Sequence, residues 1–286
     1  MNLTTHRDAL TAAQIQGVDR LDAQLLLLHV LVRPDHDRAW LLTHDDDRLP
    51  PDLATAFERL VQRRAAGEPL AYLVGHKEFF GLELAVDPRV LVPRPDTETL
   101  VDWALERLPA PGAPALPKVL DLGTGSGAIA LALAQTLQTR AQPASILAVD
   151  ASPGALAAAQ ANAIQLALDV SFLASDWFGQ VNGQFDLIVS NPPYIAEADP
   201  HLAQLTHEPL QALTSGVDGL DDLRLIIAQA PVHLQAGGWL LLEHGYDQSE
   251  AVRALLTRQG FVDVQSRRDL SGIERCSGGR WNGTAG

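Results

Sequence analysis

One stretch decides the fold of this chain: Val119-Leu120-Asp121-Leu122-Gly123-Thr124-Gly125-Ser126-Gly127-Ala128-Ile129-Ala130. It begins as an apolar strand, passes into glycines and continues as a run that suits a helix. Glycines let a backbone turn tightly and approach a ligand, and the helix start beyond them offers unpaired N–H groups. The stretch therefore predicts a strand, a ligand-binding loop and a helix.

The loop by itself leaves two kinds of cofactor open. Its spacing of Gly123, Gly125 and Ala128 also matches the dinucleotide fingerprint of nicotinamide and flavin enzymes. The alternative cofactor is S-adenosylmethionine. In both cases the candidate cofactor-binding residues of the loop are Gly123, Thr124, Gly125 and Gly127.

Polar residues around the predicted strands favour S-adenosylmethionine. Asp121 lies two residues before the first glycine, where a carboxylate suits the ammonium of an amino acid and is not needed for a pyrophosphate. The next strand ends in Asp150, whose carboxylate can hold both ribose hydroxyls of either cofactor. A strand over 170–174 ends in Ser175-Asp176-Trp177, and we expect Asp176 and Trp177 to take the edge and face of an adenine.

The tetrapeptide Asn191-Pro192-Pro193-Tyr194 follows the apolar run 185–190 and indicates the reaction. A nitrogen conjugated to a carbonyl group or a ring attacks a sulfonium methyl poorly unless its N–H bonds are held. The Asn191 side-chain oxygen can accept one of them, and the Pro192 carbonyl can accept another, because two prolines force the chain off the sheet. Tyr194 offers a flat face. Asn-Pro-Pro also ends strands in ordinary loops, but beside the glycine loop it predicts methyl transfer to a planar amino group.

The predicted topology brings these two motifs together. In an open doubly wound sheet, ligands bind outside the carboxyl ends of the strands, at the point where the first and fourth strands of this half become neighbours. Residues 123–127 and 191–194 should therefore face each other across one crevice, with the methyl donor on one side and the acceptor amine on the other. Asn191 is accordingly a candidate cofactor-binding residue as well.

Composition limits the classes of partner. The chain has 286 residues, one cysteine and a formal net charge of −14, which argues against an extended nucleic-acid footprint and suits a basic protein partner. The single Cys276 excludes a disulfide framework and fits a reducing compartment. No stretch approaches the roughly 18 apolar residues of a membrane span. We expect a cytoplasmic protein with no membrane partner and no stable nucleic-acid partner.

The chain divides into three predicted parts. Residues 1–75 read as a helical domain for substrate recognition, with helices near 12–16, 19–31 and 51–66. Residues 76–95 carry aromatic and β-branched residues around a turn and predict a β-hairpin linker. Residues 96–286 alternate strands and helices as a catalytic domain, with late strands at 239–243 and 262–267. The fold class is α/β, with a Rossmann-like sheet.

The segment between the hairpin and the catalytic domain, Pro93-Arg94-Pro95-Asp96-Thr97-Glu98, predicts a helix start. Either Asp96 or Thr97 should cap a helix that runs to about residue 108, with Glu98 in its first turn. Capping does not explain Arg94, which we assign to substrate binding.

Together these motifs resemble the bacterial glutamine methyltransferases that modify peptide chain release factors. The resemblance covers nearly the whole chain, and the Pro-Arg-Pro-Asp-Thr-Glu segment joined to Asn-Pro-Pro-Tyr is its most specific part. The remaining matching segments are Gly75-His76-Lys77-Glu78-Phe79-Phe80, the glycine loop, Asp176-Trp177-Phe178, Glu208-Pro209 and Glu243-His244-Gly245.

The resemblance implies a substrate and a set of roles. The substrate would be the glutamine side-chain amide of the Gly-Gly-Gln loop of bacterial class I release factors. Asp150 would hold the ribose, Asp176 and Trp177 the adenine, and loop 123–127 the methionine moiety. The glutamine amide would contact four residues, Asn191, Pro192, Pro193 and Tyr194. No base is required, because the nitrogen becomes strongly acidic once it is alkylated, so we interpret His76, His201, His207 and His244 as structural or surface residues.

Three other functions stay open at the level of sequence. A nucleic-acid exocyclic-amine methyltransferase could use the same tetrapeptide, although it should carry a basic groove. A glutamine methyltransferase for a ribosomal protein would differ chiefly in its N-terminal domain. A nicotinamide dehydrogenase or a silent binding module would retain the glycine loop, but Asp121 and Tyr194 speak against it.

Overall fold

The computed structural model describes residues 4–108 and 116–283, and its backbone contacts divide the chain into two compact units. The first unit extends to His76 and the second begins at Lys77. Each unit has hydrophobic clusters of its own.

The first unit is helical. Thr5 and Asp8 form a reciprocal capping box that starts α1, and the Asp19 side chain caps α2 by accepting from the Leu21 N–H. Leucines 26, 27 and 28 of α2 are fully buried in the core of the unit. The predicted first helix begins six residues too late, and two short helices, α3 and α5, were not predicted. The helices are α1 His6–Ile15, α2 Arg20–Val30, α3 Arg38–Thr43, α4 Pro51–Ala65 and α5 Leu70–Val74.

A two-stranded β-hairpin comes next, formed by β1 (His76–Phe79) and β2 (Leu82–Ala85). Its two turn residues, Phe80 and Gly81, both have positive φ, at 51° and 78°. Two positive φ values give a turn whose twist matches that of the strands it joins. Phe79, Leu82 and Leu84 are buried in one of the two clusters of the second unit.

The second unit is built on a seven-stranded sheet with the order β5-β4-β3-β6-β7-β9-β8. The strands from β3 to β7 pair in parallel, whereas β9 runs antiparallel to both of its neighbours. The strands are β3 Lys118–Leu122, β4 Ser145–Asp150, β5 Ser171–Ala174, β6 Phe185–Ser190, β7 Leu234–Glu243, β8 Val262–Arg268 and β9 Glu274–Arg280.

Helices cover both faces of this sheet. Val119 and Leu120 are consecutive in β3 yet belong to opposite hydrophobic clusters, as do Ile188 and Val189 in β6. Successive strand residues point to opposite faces, so a sheet buried on both faces needs continuous apolar strands. No helix in the described ranges is long and apolar enough to cross a membrane. The helices are α6 Glu98–Arg107, α7 Ala128–Thr139, α8 Pro153–Leu166, α9 Asp221–His233 and α10 Ser249–Gln259.

The predicted switch point is present at β3. This strand pairs with β4 on one side and β6 on the other, and its last residue, Leu122, lies opposite both Val149 and Ser190. The loops that follow these three strands therefore leave the sheet at one edge. The glycine loop and the Asn-Pro-Pro-Tyr segment are consequently neighbours, as the topology predicts.

The predicted cap of α6 is wrong. A short 3-10 turn, Pro95–Thr97, precedes the helix, and neither Asp96 nor Thr97 makes a side-chain capping bond. Thr97 has a helical backbone (φ −64°, ψ −20°), whereas a capping side chain requires an extended one. The Thr97 hydroxyl instead accepts from the Asn191 amide, and Asp96 pairs with Arg275 at 3.3 Å.

The final strand, β9, was not predicted. Its sequence contains Gly278 and Gly279 together with two arginines and has no hydrophobic alternation. Close packing requires glycine at position 278, because a Cβ there would stand 2.5 Å from the Leu240 carbonyl oxygen and 3.0 Å from the Trp103 ring. These contacts are long-range, so no local pattern reveals them.

Candidate functional site

A cavity of about 530 Å³ lies at the carboxyl ends of the central strands in the second unit. Seven of the predicted site residues line it: Gly123, Gly125, Asp150, Asp176, Trp177, Asn191 and Pro193. The cavity lining also includes several residues that were not predicted, among them Arg89, Ser152, Gln211 and Asp222. Each motif thus contributes to one cavity. Four predicted motif residues are not among those that line it: Thr124, Gly127, Pro192 and Tyr194.

The glycine loop is shaped by close contacts on one side and open space on the other. A Cβ at Gly123 would stand 3.3 Å from the Trp177 ring, and a Cβ at Gly127 would stand 2.9 Å from Leu131 Cδ1. Both residues have positive φ, at 70° and 86°. A Cβ at Gly125, by contrast, would meet no atom within 4 Å. The loop therefore leaves an open backbone cradle at Gly125, which fits a bound cofactor.

Asp150 fastens this loop to the end of β4. Its Oδ2 accepts from the Gly125 N–H at 2.9 Å, and its Oδ1 accepts from the Ser152 N–H at 2.8 Å. A carboxylate offers about four lone-pair positions. Each oxygen consequently retains acceptor capacity toward the cavity, which suits the two hydroxyls of a ribose.

Trp177 stands over the loop and is fixed at its far edge by a residue that was not predicted. The indole N–H donates to Asp222 Oδ1 at 3.1 Å, and the Asp222 backbone N–H donates to Ser215 Oγ at 2.8 Å. Trp177 itself has a positive φ of 45°. The only sequence signal for Asp222 is an acidic residue in the first turn of α9, and such residues are common at helix starts. Asp176 is exposed at the rim of the cavity.

Asp121 is fully buried beneath the loop and is not among the residues that line the cavity. Its Oδ2 accepts from the Thr124 hydroxyl at 2.7 Å, while its Oδ1 has no hydrogen-bond partner among the described residues. Burial raises the pKa of Asp121 to about 7, against the opposing effect of the Thr124 hydrogen bond. The Asp121 carboxyl therefore holds the Thr124 side chain of the glycine loop directly.

This buried carboxyl predicts a pH effect on stability. Because the folded pKa of about 7 lies above the unfolded value near 3.8, the contribution of Asp121 is most favourable below pH 4 and declines as the pH rises through 7. Asp121→Asn does not titrate. Without cofactor, we expect its stability relative to wild type to improve by roughly 1 kcal/mol or more between pH 5 and pH 7.5. Urea unfolding at both pH values measures this difference, and a pH-independent difference would contradict it.

Asn191 has a defined amide orientation. Its Nδ2 donates to Thr97 Oγ1 at 3.2 Å, and Thr97 is buried. One of the two N–H bonds of this amide is therefore committed to the protein, and Oδ1 is the Asn191 atom that can accept from a substrate. Pro192 is buried beside it and Pro193 lines the cavity.

Tyr194 is held at both its side chain and its backbone. Its hydroxyl donates to Glu243 Oε1 at 3.3 Å, and burial raises the pKa of both groups, that of Glu243 to about 7. The Tyr194 carbonyl accepts from Gln248 Nε2 at 3.0 Å. Gly219 packs so closely that a Cβ there would stand 2.2 Å from the same carbonyl oxygen.

Arg94 does not line the cavity; it forms an ion pair with Glu208, whose side chain is buried. The second oxygen of Glu208 accepts from the Val92 N–H at 3.1 Å. The pair therefore ties the segment before α6 to the loop that follows β6. That loop contributes Pro209 and Gln211 to the cavity.

The predicted non-catalytic residues have structural partners. His244 is buried between the Gly245 carbonyl and Ser277 Oγ, each at 2.8 Å. His76 pairs with Asp35, and His201 pairs with Asp199. Within the part of the chain that the structure describes, no group of His, Cys, Asp and Glu side chains is arranged to hold a metal ion. Cys276 is a buried free thiol.

Comparison with known sequences places the chain in a family. The PrmC N-terminal domain model matches residues 3–75, and the methyltransferase small domain model matches residues 102–258. A release factor glutamine methyltransferase of Bordetella pertussis is 51% identical over 92% of this chain and 95% of its own length. The chain belongs to the release factor glutamine methyltransferase family. The family member from Escherichia coli K12 is 44% identical, over 96% of this chain and 97% of its own length.

Solved structures agree with the fold of this family member. A methyltransferase from Pyrococcus furiosus superposes with a TM-score of 0.53 at 19% identity, covering 79% of this chain and 98% of that one. The catalytic domain of hMettl16 gives 0.54 at 17% identity, covering 82% and 83%. The predicted α/β methyltransferase fold and the predicted family are confirmed. The chain is an S-adenosylmethionine-dependent methyltransferase, so the nicotinamide alternative is excluded.

Proposed function

We propose that this release factor glutamine methyltransferase transfers a methyl group to the side-chain amide nitrogen of the glutamine in the Gly-Gly-Gln motif of bacterial class I release factors. The observation that carries the proposal is the arrangement of Asn191. It lies on the cofactor cavity with its amide nitrogen bonded to Thr97, which leaves its oxygen to accept from a planar NH2 group.

Residues around the cavity divide between the two ligands. We assign Asp150 to the ribose, Asp176 and Trp177 to the adenine, and residues 123–127 to the methionine moiety. Asp121 would act on the methionine moiety through Thr124, because it is buried beneath the loop. The bound cofactor supplies an electrophilic methyl group. Arg94 would act on the substrate side by fixing the loop that carries Glu208.

The chemistry requires orientation more than acid–base catalysis. The amide nitrogen would donate its lone pair to the methyl carbon, and the electron pair of the carbon–sulfur bond would stay on sulfur. The nitrogen then releases a proton to water, because alkylation has made it strongly acidic. Asn191 and the Pro192 carbonyl would hold the two N–H bonds so that the lone pair faces the methyl carbon. Such positioning can contribute on the order of 7 to 11 kcal/mol.

A labelling experiment tests the proposal. The protein is incubated with methyl-labelled S-adenosylmethionine and a purified class I release factor, and the label is located by peptide mass spectrometry. We expect one methyl group on the motif glutamine and none on a release factor whose motif glutamine is changed to alanine. Label on a ribosomal protein or on nucleic acid, with the release factor unmodified, would overturn the proposed substrate.

We also propose that the helical first unit recognises the release factor. The unit has a separate hydrophobic cluster, whereas the cofactor cavity is lined only by residues of the second unit in the described chain. Deleting residues 1–75 should leave the dissociation constant of the cofactor within about threefold and reduce methylation of the intact release factor by about 10²-fold or more, since the lost binding energy also positions the amide.

The deletion is tested by calorimetric titration of the cofactor and by single-turnover methylation. Wild type and the deletion variant are compared on the intact factor and on a short peptide that contains the motif. The two proteins should differ far less on the peptide. Full activity of the truncated protein on the intact factor would contradict a recognition role for the helical unit.

A further inference from the structure

Two buried polar residues lie behind the tetrapeptide and are not among the residues that line the cavity. Thr97 precedes α6 and Glu243 ends β7, and their exposed fractions are 4% and 1%. The sequence separates Thr97 from Asn191 by 94 positions and Glu243 from Tyr194 by 49. Each nevertheless holds one of the two side chains that we assign to the substrate amide.

Each of the two residues makes one hydrogen bond to a side chain of the tetrapeptide. Asn191 Nδ2 donates to Thr97 Oγ1 at 3.2 Å, and Tyr194 Oη donates to Glu243 Oε1 at 3.3 Å. A threonine hydroxyl has one hydrogen to donate and two lone pairs to accept with. Since its oxygen receives the Asn191 N–H, its own hydrogen stays available, and the Glu243 carboxyl lies nearby.

Charged residues and strand pairing fix the segments that carry Thr97 and Glu243. Arg275 of β9 lies near Glu243. It also pairs at 3.3 Å with Asp96, the residue immediately before Thr97 in the sequence. Arg275 also pairs with Asp269 at 3.4 Å. Glu243 itself stands opposite Cys276 in the pairing of β7 with β9. The 3-10 turn that carries Thr97 and the strand end that carries Glu243 are thus bound to the same strand.

We infer that Thr97 and Glu243 are positioning residues for methyl transfer, with Thr97 orienting the Asn191 amide and Glu243 orienting the Tyr194 ring. The inference rests on the proposed function, because it concerns the two side chains assigned to the substrate. Without the Thr97 acceptor, the Asn191 amide could turn its NH2 group toward the substrate. Two NH2 groups would then face each other, and the acceptor needed by the substrate would be lost.

Thr97→Val and Thr97→Ser test this inference. Valine keeps the shape of threonine and removes the hydroxyl, whereas serine keeps the hydroxyl. We expect Thr97→Val to lower the single-turnover rate by about 10- to 100-fold, because a misplaced group at the reacting centre costs up to about that much. The dissociation constant of the cofactor should stay within about twofold, and Thr97→Ser should recover most of the loss. Thr99→Val, two residues further along α6, provides a matched control with no expected effect.

A double-mutant cycle separates positioning from a general structural role. If Thr97 acts through Asn191, Thr97→Val should cost little in a protein that already carries Asn191→Ala. Tyr194→Phe and Glu243→Gln form the corresponding second cycle, and both retain the ring or the side-chain length. Equal costs of Thr97→Val in both backgrounds, or wild-type rates in Thr97→Val, would overturn the inference.

Failure of the inference can be told apart from failure of the proposed function. Wild-type methylation of the motif glutamine supports the proposed function whatever the variants do. If wild type methylates the release factor and Thr97→Val matches it, only the positioning role falls. If wild type leaves the release factor unmodified, the proposed function falls and the positioning role falls with it.

Discussion

Replacing Asn191 by alanine should lower the rate of methyl transfer by about 10²- to 10³-fold, as the loss of one preorganised hydrogen-bonding group does at other catalytic centres. The structure supports this expectation because Thr97 already holds the Asn191 nitrogen, so that its oxygen faces away from that bond. The interaction with the substrate grows stronger as the amide nitrogen becomes pyramidal. Single-turnover kinetics with saturating cofactor and release factor measure the effect on the chemical step.

Asn191→Asp provides the sharper comparison. It keeps a side-chain acceptor of similar size, but an ionised carboxylate has no N–H to donate to Thr97, and it adds a negative charge near the sulfonium. We expect partial activity together with intact cofactor binding. A single-turnover rate equal to wild type in Asn191→Ala would refute the amide-holding mechanism, and a large loss of cofactor affinity in that variant would assign Asn191 to the cofactor instead.

Replacing Asp150 by alanine should weaken cofactor binding by about 10²- to 10⁴-fold, because two charge-assisted hydrogen bonds to the ribose would disappear, each worth roughly 1.5 to 3 kcal/mol. The substitution also removes the acceptor of the Gly125 and Ser152 N–H groups. The glycine loop should therefore lose part of its fixed geometry. Calorimetric titration with S-adenosylmethionine measures the affinity.

Asp169→Ala is a suitable control for the Asp150 substitution. Asp169→Ala changes the net charge by the same amount as Asp150→Ala. Asp169 is exposed and precedes β5, at the opposite end of the sheet from the cavity. Cofactor affinity should be unaffected in this variant. If the Asp150 variant, still folded by circular dichroism, binds as tightly as wild type, Asp150 does not hold the ribose.

The parts of the structure that the sequence predicts well depend on short-range patterns. An apolar strand followed by glycines and a helix former identifies β3, the loop and α7 from consecutive residues. Parallel strands place their carboxyl ends on one edge, so the sequence alone predicts Asp150, Trp177 and Asn191 around one cavity, and all three line it.

The parts that sequence does not predict depend on partners far along the chain. Threonine is a residue type preferred at helix N-caps, so the neighbouring sequence predicts that Thr97 caps α6. Its hydroxyl instead bonds to Asn191, 94 residues away. Asp222 resembles any acidic residue at a helix start until its bond to Trp177 is known. β9 lacks apolar alternation because Gly278 must fit against Trp103 and the Leu240 carbonyl.

β8 and β9 form an antiparallel C-terminal hairpin, and β9 connects this hairpin to the residues that hold Tyr194. In the described sheet, β8 pairs only with β9, and β9 alone joins that hairpin to β7. β9 also carries Arg275, which lies near Glu243, and Ser277, which bonds to His244. Proteins open locally in cooperative units, and detaching this hairpin would release the support behind Tyr194. Part of the support around the acceptor amide therefore depends on the attachment of this hairpin to β7.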